Sequence, residues 1–393
     1  MAEQATPQID GHCEVRFEGV RAAFEENFRA RGEMGAAVTV LLDGEPVVDL
    51  WGGWADAARS RPWERETLVN VWSTTKGATA LCAHLLADRG LLDLDAPVAV
   101  YWPEFAAAGK ENILVRHLLS HRAGLAGLRE PHTLAELYDW ELTTARLAVT
   151  EPWWEPGTRS GYHALTYGFL VGEVVRRITG QLPSAFLHQE VTGPLGIDFS
   201  IRLPEKEAHR VAQLVHPSAA VGSEQDAAFS QLQPVALAAL ANPLVGAADA
   251  NTPEWRAAEI PAAGGHGTAR GVAALYDFFT GRGRTDTRQV LSAQAAERVR
   301  EGQGSCRDLV LGAGFEHDTE IGLGLRLSGR NGSYGPNSRA VGHDGFGGSF
   351  GLADPEAGIS IGYVMNRMGA HIADDPRKMA LIDAVYKASV HSV

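Results

Sequence analysis

The chain has 393 residues, room for two or three domains or for one large domain with an inserted lobe. Hydrophobic residues make up 45% and charged residues 21%, which excludes a disordered chain and supports a sizeable core. With 35 Lys+Arg against 48 Asp+Glu the formal charge is -13, and no basic run occurs, so nucleic acid is excluded as a partner for the net field.

The N-terminal sequence has neither the basic nor the apolar region of a secretory signal, and no apolar stretch reaches the ~18 residues of a membrane span. The expectation is a soluble cytoplasmic protein with no membrane partner. Cys13, Cys82 and Cys306 make no disulfide framework, and no Cys/His cluster has zinc-ligand spacing. No metal or cofactor is expected.

In chain order, apolar residues at Val15, Val20, Ala23, Phe24 and Phe28 repeat at helical spacing. Two β-rich runs then flank Asp43-Gly44, a hairpin signal. A helical pattern starts at Ser73, with Gly90 as its C-cap. Residues 91–261 read as helical fragments and loops. Near the end, GSFGLADPEAGISIGYVMN predicts two strands around a turn at Asp354-Pro355, and Pro376 to Val390 predicts a helix. The simplest architecture is an antiparallel sheet built from both ends of the chain and covered by terminal helices (residues 1–90 and 262–393). A mainly helical lobe (91–261) is inserted, with the active site in the cleft between them.

Ser73-Thr74-Thr75-Lys76 is an S-x-x-K match. With 18 Ser and 5 Lys, about 0.2 chance matches are expected. At i,i+3 the two side chains share one helix face. A helix N-terminus stabilises a developing oxyanion, and a desolvated amine loses its proton near neutral pH and activates the serine. The plainer reading makes Ser73 an N-cap and Lys76 a snorkelling surface residue.

VWSTTKG, LLDLDAPVAVYWPEF, VRHLLSHRAGL, WWEPGTRSGYHALTYGFLVGEVV, GGHGTAR and VGHDGFGGSFGLADP occur in that order. Together they resemble the serine beta-lactamase-like superfamily over about residues 15 to 390. That superfamily includes class C beta-lactamases, penicillin-binding DD-peptidases, D-aminopeptidases and family VIII carboxylesterases. The resemblance implies an α/β fold of the α+β type and three catalytic motifs. The first matches Ser73 and Lys76. The second, Y-x-N in the lactamases, falls on Tyr162-His163-Ala164. The third, K-T-G in the lactamases, falls on His343-Asp344-Gly345.

Ala164 lacks the amide that binds a lactamase substrate's side chain, and His343 is a weaker, pH-dependent cation than lysine. These departures favour a neutral small-molecule ester, with Ser73 as nucleophile through an acyl-enzyme. Lys76 and Tyr162 share the general base and acid roles, without a microscopic assignment. The resemblance also implies an oxyanion hole from the backbone N–H groups of Ser73 and Phe346, the latter on an edge strand after the HDG triplet. His343, Asp344 and Gly345 line the substrate site, Gly345 allowing close approach to the backbone. Beta-lactamase, D-aminopeptidase or DD-peptidase action and acyl transfer remain alternatives. A non-catalytic binding protein is disfavoured because Ser73, Lys76 and Tyr162 are all kept.

Several signals compete. Tyr167 rivals Tyr162. Gly347–Gly351 matches the G-x-S-x-G nucleophile elbow, but β-like sequence follows Ser349 where a helix is required, and only Asp374 and His391 remain to complete a triad. His117 and His121 lack the glutamate of a zinc motif. Trp72, Trp153 and Trp154 are candidate pocket walls, the stretch Pro217 to Pro261 is expected to shape the pocket, and Gly265–Thr268 is a candidate lining segment. The oligomeric state is not legible.

Overall fold

The computed structural model describes all residues except 1–6, 217–231, 283, 286–287, 313–318, 330–331, 372–373 and 391–393. A seven-stranded sheet is formed by β1 (Ile9–Cys13), β2 (Gly35–Leu42), β3 (Glu45–Gly53), β4 (Arg326–Leu327), β5 (Val341–Asp344), β6 (Phe350–Asp354) and β7 (Ile359–Met365). The order is β1-β3-β2-β7-β6-β5-β4, and every neighbouring pair is antiparallel.

The first hairpin turns at Asp43 and Gly44, both at positive φ (50° and 85°), the backbone that a tight two-residue hairpin needs. β7 returns from the far end of the chain to pair with β2, placing Ile361 opposite Val40. Side chains then alternate between the faces. Val38 and Val40 of β2 and Ile359, Ile361 and Tyr363 of β7 pack against Phe17, Val20 and Phe24 and against Leu381 and Val385. The last two belong to helix Pro376–Val390, and Val20 and Phe24 to helix Glu18–Ala30. Each such side chain contributes roughly 1.5–3 kcal/mol relative to exposure.

Helix Ala269–Asp277 covers the opposite face. A Cβ on Gly362 would stand 2.2 Å from Ala269 O, and one on Gly351 would stand 2.3 Å from the Tyr276 ring. The missing side chains therefore let this helix lie directly on β6 and β7. Its Tyr276 phenol donates to Thr74 O at 2.9 Å, which ties the covered sheet to the turn that carries Ser73.

That turn is the 3-10 segment Trp72–Thr74, and the α-helix proper runs Thr75–Asp88. Ser73 thus precedes the helix by one residue more than its N-cap. The helix is buried from Thr75 to Leu86 and packs against helix Thr166–Thr179. Apolar residues all round suit a helix enclosed by neighbours. Between residues 91 and 261 the described elements are helical except for the short strand Phe199–Ser200, which pairs with His266–Gly267.

Candidate active site

Ser73 is presented by a strained turn. Trp72 has φ +46°, a left-handed conformation that an aromatic residue rarely adopts. The strain is held from outside. The Asn70 side chain accepts the Trp72 N–H at 3.1 Å and donates to Ala263 O at 3.0 Å. The Trp72 ring lies between Trp255 and Phe346, at centroid distances of 5.4 and 5.6 Å.

Two groups converge on Ser73 Oγ. Lys76 Nζ lies 3.0 Å away, and the Tyr162 phenol donates to it at 2.7 Å. Lys76 is fully buried and also reaches Ala164 O at 2.8 Å and Ala262 O at 3.1 Å. Removal from water disfavours the ammonium and lowers its pKa well below the usual lysine value. The same cause raises the Tyr162 phenol, the hydrogen bond with Ser73 opposing it only in part.

Tyr167 stays outside this triangle. Its hydroxyl is buried without a partner among the described residues, and its ring lies 5.8 Å from Lys76 Nζ. Between Tyr162 and Ala164, His163 is satisfied by backbone alone. It accepts from Leu125 N at 3.1 Å and donates to Gly161 O at 2.6 Å. Burial holds it neutral, with a pKa pushed down to about 4.

His343 and Asp344 end β5 and line the same cavity as Ser73. His343 donates through Nδ1 to Asp344 O at 2.8 Å, and burial lowers its pKa well below the ordinary histidine value. Asp344 pairs with Lys378 at 2.8 Å and with Arg326 at 3.5 Å. Gly345 serves packing. A Cβ there would meet Val71 O and Ser349 Oγ, each at 2.2 Å. Phe346 lies in the turn between β5 and β6, not on an edge strand; the edge on that side of the sheet is β4.

Ser349 does not stand at a strand-turn-helix elbow. Its hydroxyl is buried, donates to Val71 O at 2.9 Å and lies 3.1 Å from Thr74 Oγ1, and strand β6 follows it. Asp374 faces Ser333 and Lys378 instead, and His391 lies outside the described residues. His117 Nδ1 accepts from Leu114 N, and His121 Nδ1 accepts from His163 N. No cluster of metal-ligating groups occurs among the described residues.

The cavity measures about 250 Å³. Leu240, Leu244, Val245, Leu311, Ile321 and Phe346 form its apolar side. Of the stretch Pro217 to Pro261, residues 217–231 lie outside the described residues, and the part beyond them supplies Leu240, Leu244 and Val245. Trp72 lines the cavity. Trp153 and Trp154 spend their indole N–H groups on Gly127 O and Arg159 O, away from it. Gly265–Thr268 is buried structure: His266–Gly267 is the middle strand between Val69–Asn70 and Phe199–Ser200. His121, weighed in the sequence only as half of a rejected zinc pair, also lines the cavity, as do Asp308 and Arg326. His121 gave one signal, a place in the SHRAGL segment; Asp308 and Arg326 gave none.

The Beta-lactamase family matches residues 20–385. The chain belongs to the beta-lactamase family. Among relatives in this family, the Esterase/beta-lactamase LipL of Mycobacterium tuberculosis is 36% identical over 374 residues, 92% of this chain and 83% of LipL. A solved family VIII carboxylesterase is 42% identical with a TM-score of 0.90, over 97% of this chain and 100% of that one. A penicillin-binding protein homolog from Caulobacter crescentus is 39% identical with a TM-score of 0.88, again over 97% and 100%.

Proposed function

We propose that this member of the beta-lactamase family is a serine carboxylesterase that works through a Ser73 acyl-enzyme on short-chain esters. The observation that carries the reading is the setting of Lys76. A neutral amine has two N–H bonds and one lone pair. Ala164 O and Ala262 O accept the two N–H bonds, which leaves the lone pair for the Ser73 hydroxyl 3.0 Å away. Burial depresses the lysine and raises the phenol, so Lys76 takes the serine proton and Tyr162 keeps its own.

Ser73 Oγ then bonds to the substrate carbonyl carbon while its proton moves to Lys76. The N–H groups of Ser73 and Phe346 receive the oxyanion. As the bond to the alcohol breaks, Tyr162 protonates the leaving oxygen, and the proton held by Lys76 makes good that loss. Water repeats the sequence in reverse on the acyl-enzyme and releases the acid. Residues 91–261 act in this scheme as a lobe supplying Tyr162, against the Ser73, Lys76 and His343 of the sheet part.

Ester is favoured over lactam by charge. Ala164 gives Lys76 its carbonyl and offers substrate only a methyl group. A substrate carboxylate meets no lysine at the third motif, where His343 is a neutral imidazole and the Arg326 guanidinium already faces Asp344. The apolar side of the cavity, formed by Leu240, Leu244, Val245, Leu311, Ile321 and Phe346, suits a short acyl chain.

The test is a paired assay on p-nitrophenyl butyrate and nitrocefin, with Ser73→Ala as control. Ester cleavage well ahead of lactam cleavage, lost in the variant, is expected. Faster lactam cleavage would overturn the esterase reading in favour of a lactamase or peptidase.

A further inference from the structure

Asp308 belongs to no catalytic motif, yet it is 4% exposed and lines the cavity. One of its oxygens, Oδ1, gathers three backbone N–H groups: Tyr162 at 3.0 Å, Val310 at 2.8 Å and Leu311 at 2.9 Å. The Tyr162 bond crosses 146 residues of sequence, whereas the other two are local turn bonds. A further link runs alongside, from Leu309 N to Ser160 O at 3.0 Å.

The three N–H groups serve different parts of the site. Tyr162 carries the phenol that touches Ser73. Leu311 is part of the apolar cavity wall. Val310 packs with Ala126, Ala236 and Ala239, and so ties the turn to helix Pro234–Leu240. Hydrogen bonds to an ionised acceptor are the stronger kind. A single carboxylate oxygen therefore fixes the proton donor and the acyl wall in one register.

We infer that Asp308 is a positioning residue that sets the Tyr162 phenol at the leaving oxygen and holds the wall of the acyl pocket to it. The inference rests on the proposed role of Tyr162 as proton donor. Its signature is a dependence on the leaving group. A p-nitrophenolate leaves without protonation, whereas an alkoxide needs it. Displacing a catalytic group by about 1 Å costs on the order of a hundredfold.

The test compares kcat/KM, which reports acylation and leaving-group departure, on p-nitrophenyl butyrate and on ethyl butyrate for Asp308→Ala, Asp308→Asn and Tyr162→Phe. Asp308→Ala is expected to lose at least about tenfold more on the ethyl ester than on the p-nitrophenyl ester. Asp308→Asn keeps an oxygen at Oδ1 and is expected to restore most of the difference. Equal losses on both esters, or no loss, in Asp308→Ala would overturn the inference. If the alanine variant does not fold, Asp308→Ser, one bond shorter than the carboxylate, carries the same comparison. Tyr162→Phe separates the two claims. A selective loss there with none in the Asp308 variants sinks the positioning role alone. No selective loss in Tyr162→Phe sinks the proton-donor assignment beneath it, and the inference with it.

Discussion

Replacing Gly345 with alanine exchanges one hydrogen for a methyl group, and the structure gives that carbon no room. Its ideal position lies 2.2 Å from Val71 O, 2.2 Å from Ser349 Oγ and 3.0 Å from Thr74 Oγ1, against an ordinary contact of 3.4–4 Å. Relief requires a retreat of about 1 Å. Ser349 alone cannot supply it, because Val71 O is backbone and anchors the turn, accepting Thr74 N at 3.1 Å as well as the Ser349 hydroxyl. Val71 directly precedes strained Trp72 and then Ser73. The displacement therefore arrives at the nucleophile and at the following Phe346 N–H together. Overpacking of this kind costs about 1–3 kcal/mol of stability, and a misplacement of about 1 Å costs on the order of a hundredfold in rate. The expected result for Gly345→Ala on p-nitrophenyl butyrate is a kcat about a hundredfold lower, with a lowered Tm. Adding Ser349→Ala removes one of the two closest contacts and should recover only part of the loss. A Gly345→Ala enzyme with wild-type kcat and Tm would refute the argument that this glycine is kept for packing beneath Ser73.

Other substitutions probe the remaining groups. Ser73→Ala should abolish ester turnover, while Ser349→Ala should keep most of it and lose about 1 kcal/mol in urea unfolding from its hydrogen bond to Val71; the reverse pattern would move the nucleophile. Tyr162→Phe should cost at least about a hundredfold in kcat on an alkyl ester, and near-normal turnover would remove the phenol from the mechanism. Lys76 titrates below its ordinary 10.5 in the folded chain, so between the depressed value and 10.5 the unfolded state binds a proton that the native state does not. Stability at this residue therefore rises with pH through that window and is flat below it. The Tm of the wild type minus that of Lys76→Met should climb as pH rises toward 10.5; a difference that stays flat over that range would show a lysine that remains charged in the native state.

Local chemistry made part of this molecule legible in its sequence. The Asp43-Gly44 hairpin, the strands around Asp354-Pro355 and the helix from Pro376 to Val390 all follow from turn residues and apolar spacing that act over a few positions. β1 was missed because Ile9–Cys13 is a largely exposed edge strand whose pairing with β3 leaves no alternating pattern to read. Ser73, Lys76 and Tyr162 were singled out by motif, and they do meet. The reason for Gly345 was read differently. Sequence suggested close substrate approach, whereas the neighbours that exclude a side chain are Val71 and Ser349, 274 residues and four residues away along the chain. Asp308 was invisible for the same cause. Its distinguishing bond is a long-range one, and nothing near position 308 marks it.

The central claim is that Ser73, activated by a neutral Lys76, forms a covalent acyl-enzyme. The most direct measurement is peptide mass spectrometry of the protein quenched during turnover of p-nitrophenyl butyrate and, in parallel, after reaction with a fluorophosphonate. The account predicts a butyryl or phosphonyl adduct on the peptide carrying Ser73, absent in Ser73→Ala and formed far more slowly in Lys76→Met. An adduct on the peptide carrying Ser349, or ester turnover with no adduct on Ser73 under either treatment, would contradict it.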